Sequence, residues 1–366
     1  MKITGVIAEY NPLHNGHVYH FNNIKSDLKI LILSSSYTMR GDLSIFDKFT
    51  KARQALDLGY DLVLELPFVY AVERADIFAA NAIDFLNLCK INEIIIGSEN
   101  NDISEYEKYY NNYDKDEIIS KDGESYKKAS MNYLPFKSND LLGFFYYKAI
   151  KDNQYNIDVK TIKRLGNDYL EKEINTDYPS ASAIRNNIKD IKKYVPDYVS
   201  NDCLNILDEN KIFNYLKYQI LNLSTDELKD IFMVDEGLEN KIKSIYKYNN
   251  FKEFISSLVS KRYTETRIKR MLSYILFNIK KNDINNIYNE KINFIRVLGY
   301  NNNGKNYLNN IKKDLNIYTN IKEGINKTFD IELKISKILD TIFDLKLLEK
   351  EQGKPIYKDE QKVKSK

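Results

Sequence analysis

The 366-residue chain is poor in the residues that carry most redox and metal chemistry. It has two cysteines, Cys89 and Cys203, and no C-x-x-C pair. That argues against a disulfide framework and suits a reducing compartment. No apolar run is long enough to cross a bilayer, and the N-terminal MKITGVIAEYN lacks an apolar signal core. The sequence therefore predicts a soluble, cytoplasmic protein with no membrane attachment. Histidine is scarcer still: three in all, His14, His17 and His20, and every one falls in a single short stretch.

What is present bounds the rest. With 43% hydrophobic and 29% charged residues the chain can bury a core, and its length predicts two domains. The abundance of Asn, Lys, Ile and Tyr reads as a compositional bias, so no single Tyr or Lys carries weight by itself. The net charge of +3 is unevenly spread. Residues 201–366 hold 30 Lys and Arg against 23 Asp and Glu, whereas residues 1–200 hold 25 against 29. A basic second half points to a polyanionic partner such as RNA, against the plainer reading of a solvated surface with a Lys-rich tail.

The histidines sit in ITGVIAEYNPLHNGHVYH, residues 3–20. ITGVIAE reads as a buried strand, Asn11-Pro12 as a turn, and the residues from about Gly16 to Ser26 as a helix. A strand, a tight turn and a helix start place free N–H groups and the positive end of a helix dipole where a phosphate binds. Gly16, without a Cβ, lets a nucleotide lie against the backbone. His14 and His17 can donate N–H to phosphate oxygens and to charge developing at phosphorus. Two other readings stay open: ordinary turn residues, or metal ligands at i, i+3. The glycine and proline disfavour a helical ligand face, and no cysteine or carboxylate is spaced to complete a shell.

Further along, strands are expected at Lys29–Ser34, in YDLVLELP, in INEIIIGSEN and in VKTIKRLG. Helices are expected at about Ile45–Leu58, stopped by Gly59, at about Glu73–Leu88, and after the capping cluster Ser138-Asn139-Asp140. This alternation implies a parallel sheet with right-handed crossovers. The loop SSSYTMRGD ends the second strand, where ligands bind, and makes Arg40, Asp47 and Lys48 candidates for phosphate or carboxylate contacts. Gly97 ends the fourth strand. Ser180, Ser182 and Arg185 form a second candidate phosphate site at a helix start. Residues 100–135 read as a polar helical insertion or lid. From about Asp202 the pattern is helical. In TETRIKRMLSYILFNIKK, residues Ile268, Met271, Leu272, Ile275, Leu276 and Ile279 share one stripe. Lys261, Arg262, Arg267 and Arg270 crowd that helix's start, which suggests contact with a phosphate backbone.

EYNPLHNGHVYH carries the H-x-G-H signature of the nucleotidyltransferase superfamily, whose members activate ATP at the α-phosphate. With RGD…DKF…RQALDLGYDLVLELPFVYAVERADIFA, IIIGSEN, SNDLLG, IKRLGNDY, SASAIR, KRYTETRIKRML and RVLGYNNNGKNYL in that order, the chain resembles the bacterial tRNA(Met) cytidine acetate ligase family over nearly its whole length. The resemblance implies a Rossmann-like α/β nucleotidyltransferase domain at residues 1–200. It is followed by a mainly α-helical, basic, tRNA-binding domain at 201–348 and a flexible tail at 349–366. It implies an enzyme that uses ATP, with magnesium on the phosphates, to join acetate to the wobble cytidine of elongator tRNA(Met). His14 and His17 would then be catalytic. ATP contacts would come from Ile7, Ala8, Glu9, Tyr10, Asn11, Pro12, Leu13, His14, Asn15, Gly16, His17, Val18, Tyr19 and His20, with Gly97, Asn139 and Arg164; no residue is marked as a metal ligand. The chain departs from the family in SSSYTMRGD, which lacks a glycine after the first serine and has Asp42 where a Glu is usual. A small-molecule adenylyltransferase and a non-catalytic, ATP-dependent RNA-binding protein are the alternatives.

Overall fold

The computed structural model describes residues 1–113, 134–165, 178–235 and 237–359. Five parallel strands form one side of a single sheet: β1 (Ile3–Ala8), β2 (Leu28–Ser34), β3 (Leu62–Leu66), β4 (Glu93–Ser98) and β5 (Asp158–Lys163). Their order is β5-β4-β1-β2-β3. Strands in the middle are continuous apolar runs because helices cover both faces. Ile30, Leu31, Ile32, Leu33, Leu62, Val63 and Leu64 have no exposed surface. β5 lies at the edge and carries Asp158, Lys160 and Lys163, the charges that discourage further strand pairing. The chain runs outward from β1 through β2 to β3, then returns to place β4 on the other side of β1. A crevice opens at the carboxyl ends of such diverging strands.

The crossover helices follow the expected pattern with shifted starts. Helix Lys48–Leu58 begins later than expected because Asp47 is its cap, accepting the N–H groups of Phe49 and Thr50. It stops at Gly59 in the left-handed region. Pro67 starts a one-turn helix, Phe68–Ala71, so the next long helix runs Ala75–Leu88. Helix Ser138–Asp152 packs beside it. Most of the expected insertion at 100–135 lies outside the described residues; its start is helix Ile103–Asn111.

The second half is largely helical, and the stripe of helix Glu265–Leu276 is buried as its periodicity requires. The expected boundary at residue 200, however, is not a boundary of the sheet. β6 (Phe294–Tyr300) pairs antiparallel with β3, and both β7 (Asn316–Tyr318) and β8 (Ile356–Tyr357) pair with β6. RVLGY, met in the sequence as a motif, is the core of that strand. β3 is fully buried and needs a neighbour on its outer edge.

A buried charge cluster fixes this arrangement. Lys48 Nζ lies 2.5 Å from Glu65, 2.8 Å from Glu332 and 2.6 Å from Glu351, and Arg296 meets Glu351 at 3.2 Å. Burial opposes the ammonium, but three carboxylates outweigh it and raise the Lys48 pKa. Burial pushes Glu65 up to about 7. Two expectations are thereby corrected. Lys48 binds the protein's own carboxylates rather than a ligand. The flexible tail does not begin at Glu349, because helix Leu347–Gln352 delivers Glu351 into the core and β8 follows it.

Candidate active site

The chain leaves β1 at Ala8 and turns through Tyr10 and a cis Asn11–Pro12 bond into helix Asn15–Asn22. The turn is pinned from outside. Asn11 Oδ1 accepts the Ile45 N–H at 2.9 Å, and the Arg185 guanidinium donates to the Asn11 carbonyl at 2.6 Å. The Asn15 N–H donates to the Tyr194 carbonyl at 2.9 Å.

Two histidines do the work that Ser and Glu do in an ordinary capping box. His14 Nδ1 accepts the Gly16 N–H at 3.1 Å, and His17 Nδ1 accepts the His14 N–H at 3.2 Å. Their ring centroids are 3.8 Å apart. A ring nitrogen that accepts an N–H carries no proton, so each neutral imidazole keeps its proton on Nε2. Burial, then the charges of Arg164 and Arg185, lowers His14 to about 3. Burial, with His14, Arg164 and His20 adding to it, holds His17 well below its usual value. Burial and Arg164 bring His20 down to about 4. All three are neutral at pH 7, and His14 and His17 each have one remaining donor, Nε2–H.

Both rings line a cleft of about 240 Å³ at the carboxyl ends of β1 and β4. Of the predicted contacts, Ile7, Ala8, Glu9, Tyr10, Asn11, His14, Gly16, His17, Tyr19, His20, Gly97, Asn139 and Arg164 all line it. Pro12, Leu13, Asn15 and Val18 are not on its wall. Pro12 and Leu13 are buried, Val18 packs on the core, and the Asn15 side chain donates to the Lys193 carbonyl. Gly97 leaves real space: a Cβ there would come no nearer than 3.4 Å to any atom, that neighbour being the Arg164 side chain. Gly16 has a different task from the one expected. A Cβ on it would stand 2.9 Å from His14 Cε1, so its bareness makes room for the capping ring. Nε2 of His20 is buried without a hydrogen-bond partner among the described residues, a donor or acceptor that a ligand can satisfy.

The opposite wall is the loop Thr38–Asp42. Glu9 accepts the Met39 N–H at 2.5 Å, and burial raises the Glu9 pKa. Beneath, Lys51 is wholly buried and donates to the carbonyls of Glu9, Ser34 and Ser35 at 3.0, 3.0 and 2.8 Å. Burial lowers its pKa to about 7. Three carbonyl acceptors nevertheless call for the three N–H donors of an ammonium. Behind the loop stands helix Glu265–Leu276. Gly41, at φ +82, lies so close that a Cβ would meet Arg270 N at 2.4 Å, and Lys269 pairs with Asp42 at 2.8 Å.

Several expected ligand contacts are structural instead. Asp47 caps a helix. Ser180 caps helix Ala181–Asn186 by accepting the Ala183 N–H, whereas Arg185 both holds the Asn11 turn and lines the cleft. Asn139 lines the cleft, but its amide donates to Glu99, whose carboxylate also takes the N–H groups of Asn139 and Asp140. Arg267 donates to the Met233 carbonyl and to Asp235, and Arg270 is buried with its guanidinium on the Glu73 carbonyl. Neither is a free phosphate ligand. Among the described residues no group of three or more His, Cys, Asp or Glu is placed to hold a metal.

The family model for HIGH nucleotidyl transferases matches residues 1–354. Curated proteins named tRNA(Met) cytidine acetate ligase from Staphylococcus aureus strains JH9 and JH1 are each 36% identical over 367 residues, 93% of this chain and 96% of theirs. The chain belongs to this family. Two crystal structures of Thermotoga maritima TmcAL, one bound with alpha-thio ATP and one apo, superpose with TM-scores of 0.84 at 25% and 26% identity, covering 98% of this chain and all of theirs. The fold common to the family is thus the fold seen here. Lys51 and Glu99 escaped the sequence reading. Lys51 left a trace, since Lys48, Lys51, Ala52 and Ala55 fall on one helix face that is otherwise apolar. Glu99 left none, because its partners Asn139 and Asp140 lie about 40 residues away.

Proposed function

We propose that the protein activates acetate with ATP and joins the acetyl group to the wobble cytidine of elongator tRNA(Met), forming N4-acetylcytidine. One observation carries the proposal: two neutral, closely paired imidazoles with only Nε2–H left to donate, on the wall of a cleft at the carboxyl ends of β1 and β4. Uncharged donors held in place by the backbone suit a site where negative charge grows during reaction. The names of the relatives, and the alpha-thio ATP in the Thermotoga maritima structure's description, support the substrates.

In the first step an acetate oxygen attacks the α-phosphorus of ATP. The bond to the β,γ-pyrophosphate breaks, giving acetyl-adenylate and pyrophosphate. His14 and His17 donate to the phosphate oxygens as charge builds there. Arg164 and Arg40, both on the cleft wall, balance the triphosphate, and Gly97 leaves room for the nucleoside. In the second step the cytidine N4 attacks the acetyl carbon, the bond to AMP breaks, and the amine loses a proton. No residue is modified. Among the described residues the cleft offers no metal cage, so magnesium would be held by the phosphates and water, and no step depends on a protein ligand to it. No helix among the described residues is long and apolar enough to cross a membrane. A tRNA substrate supports a cytoplasmic reaction.

Purified protein with ATP, acetate and an elongator tRNA(Met) transcript should yield acetylcytidine by nucleoside mass spectrometry. Without RNA it should exchange labelled pyrophosphate into ATP only when acetate is present. Exchange that ignores acetate, or an unmodified transcript, would refute the proposal.

A further inference from the structure

Arg267 and Arg270 are committed to the fold, which leaves Lys261 and Arg262 exposed at that helix start and gives reason to look for a further RNA-facing surface in the second half. Helix Asn210–Asn222 buries Ile212, Phe213, Leu216 and Ile220 and turns its other face to water. On that face Tyr215 is 43% and Tyr218 72% exposed. The turn Lys243–Lys247 is strapped to this helix: Lys243 Nζ donates to the Ile220 and Leu221 carbonyls at 2.9 and 3.3 Å. Lys217 Nζ reaches the Tyr248 carbonyl at 2.8 Å. Tyr246 on that turn is 61% exposed. Of the five tyrosines more than a third exposed among the described residues, three therefore lie on two elements held together. Composition explains many tyrosines, but not why three of the exposed ones fall on two joined elements.

Within the two elements the charge has one sign. Residues 210–222 and 240–252 hold six lysines and no Asp or Glu; of the flanking carboxylates, Glu239 is buried and Glu209 half-buried, while Asp208, Asp226, Glu227 and Glu253 are exposed. Exposed rings among lysines fit a chain of π-faced bases joined by phosphates. The surface also begins beside the cleft. The Glu209 carboxylate, at the base of this helix, lies 3.5 Å from the Leu43 N–H, just past the loop that walls the cleft. At 1.5 Å rise per residue, Tyr218 lies about 14 Å further along the axis.

We propose that Tyr215, Tyr218 and Tyr246 form a stacking surface for unpaired RNA bases next to the nucleotide being modified, with Lys211 and Lys247 meeting the phosphates. This rests on the reading of tRNA as the substrate. The full-length chain, titrated against fluorescently labelled tRNA(Met) transcript by anisotropy at several salt concentrations, tests it. Tyr218→Ala and Tyr246→Ala should each weaken binding about fivefold to a hundredfold without changing the salt slope. Tyr218→Phe should bind as wild type, because stacking needs the ring and not the hydroxyl. Lys247→Ala should lessen the salt slope. Acetate-dependent pyrophosphate exchange without RNA should be the same in all of them. If wild type binds the transcript and the alanine variants bind it equally well, the surface is overturned while the ligase reading stands. If wild type binds no tRNA and makes no acetylcytidine, the reading beneath it falls. Should light scattering show Tyr218→Ala separating a dimer with RNA affinity retained, the surface is a contact between copies and the proposal is wrong.

Discussion

His17 illustrates how little freedom the paired imidazoles have. Its Nδ1 is held by one backbone N–H, and Tyr10 lies 4.8 Å from its ring. His17→Ala should lower acetate-dependent pyrophosphate exchange about a hundredfold to a thousandfold, with the far-UV spectrum unchanged. Gly16→Ala should also lower exchange, through displacement of the His14 ring; full activity in that variant would show that the cap is not needed for chemistry. The histidines also set a stability profile. An unfolded histidine titrates near 6.5, whereas folded His14 and His20 titrate at about 3 and about 4. Below pH 6.5 the unfolded chain takes up protons that the folded chain refuses, so stability falls with pH, by roughly 2 kcal/mol per histidine at pH 5. Above pH 6.5 these groups add no pH dependence. Melting temperatures at pH 7.5 and 5 should diverge in wild type and diverge less in His20→Gln. The histidines were legible because there are only three of them and they share one turn. The task of Gly16 was not, because a sequence does not say which way a neighbouring ring folds back.

At the scale of elements, the loop between β2 and helix Lys48–Leu58 matters most. It walls the cleft on one side and leans on helix Glu265–Leu276 on the other. Gly41→Ala puts a Cβ into backbone at positive φ, and should cost about 2 kcal/mol or more. It should also raise the KM for ATP, measurable by exchange kinetics; an unchanged KM would mean that the loop does not shape the nucleotide site. Lys51→Met would leave three buried carbonyls unpaired, at about 1–3 kcal/mol each, and should reduce the denaturation midpoint more than any exposed lysine substitution. The loop's place was readable from its position after a strand. Its support was not. Arg267 and Arg270 looked like phosphate ligands because charge at a helix start is conspicuous in sequence, while the Asp235 and Glu73 partners that use it are 32 and 197 residues distant.

Across the whole molecule, the parallel core could be read from apolar runs broken by Gly59, Pro67 and Gly97, but its strand order comes from the structure. The division at residue 200 and the tail could not. Long-range pairing of β6 with β3 leaves no local mark, and Glu351 looks solvated until Lys48 is found beside it. Glu351→Ala strips a carboxylate from the buried cluster and leaves Lys48 and Arg296 short of a partner. It should destabilise the protein by about 3–5 kcal/mol, read from urea unfolding. A chain ending at Leu348 should fare worse, losing β8 as well; if it melts like full-length protein, the cluster is not what joins the two halves. The β3–β6 pairing has one more consequence. During synthesis β3 emerges more than 200 residues before the strand that covers it. For most of translation the nascent chain exposes Leu62, Val63 and Leu64 along a bare sheet margin, open to mispairing with other chains. Folding in the cell should therefore depend on holdase chaperones until the last third of the polypeptide is made.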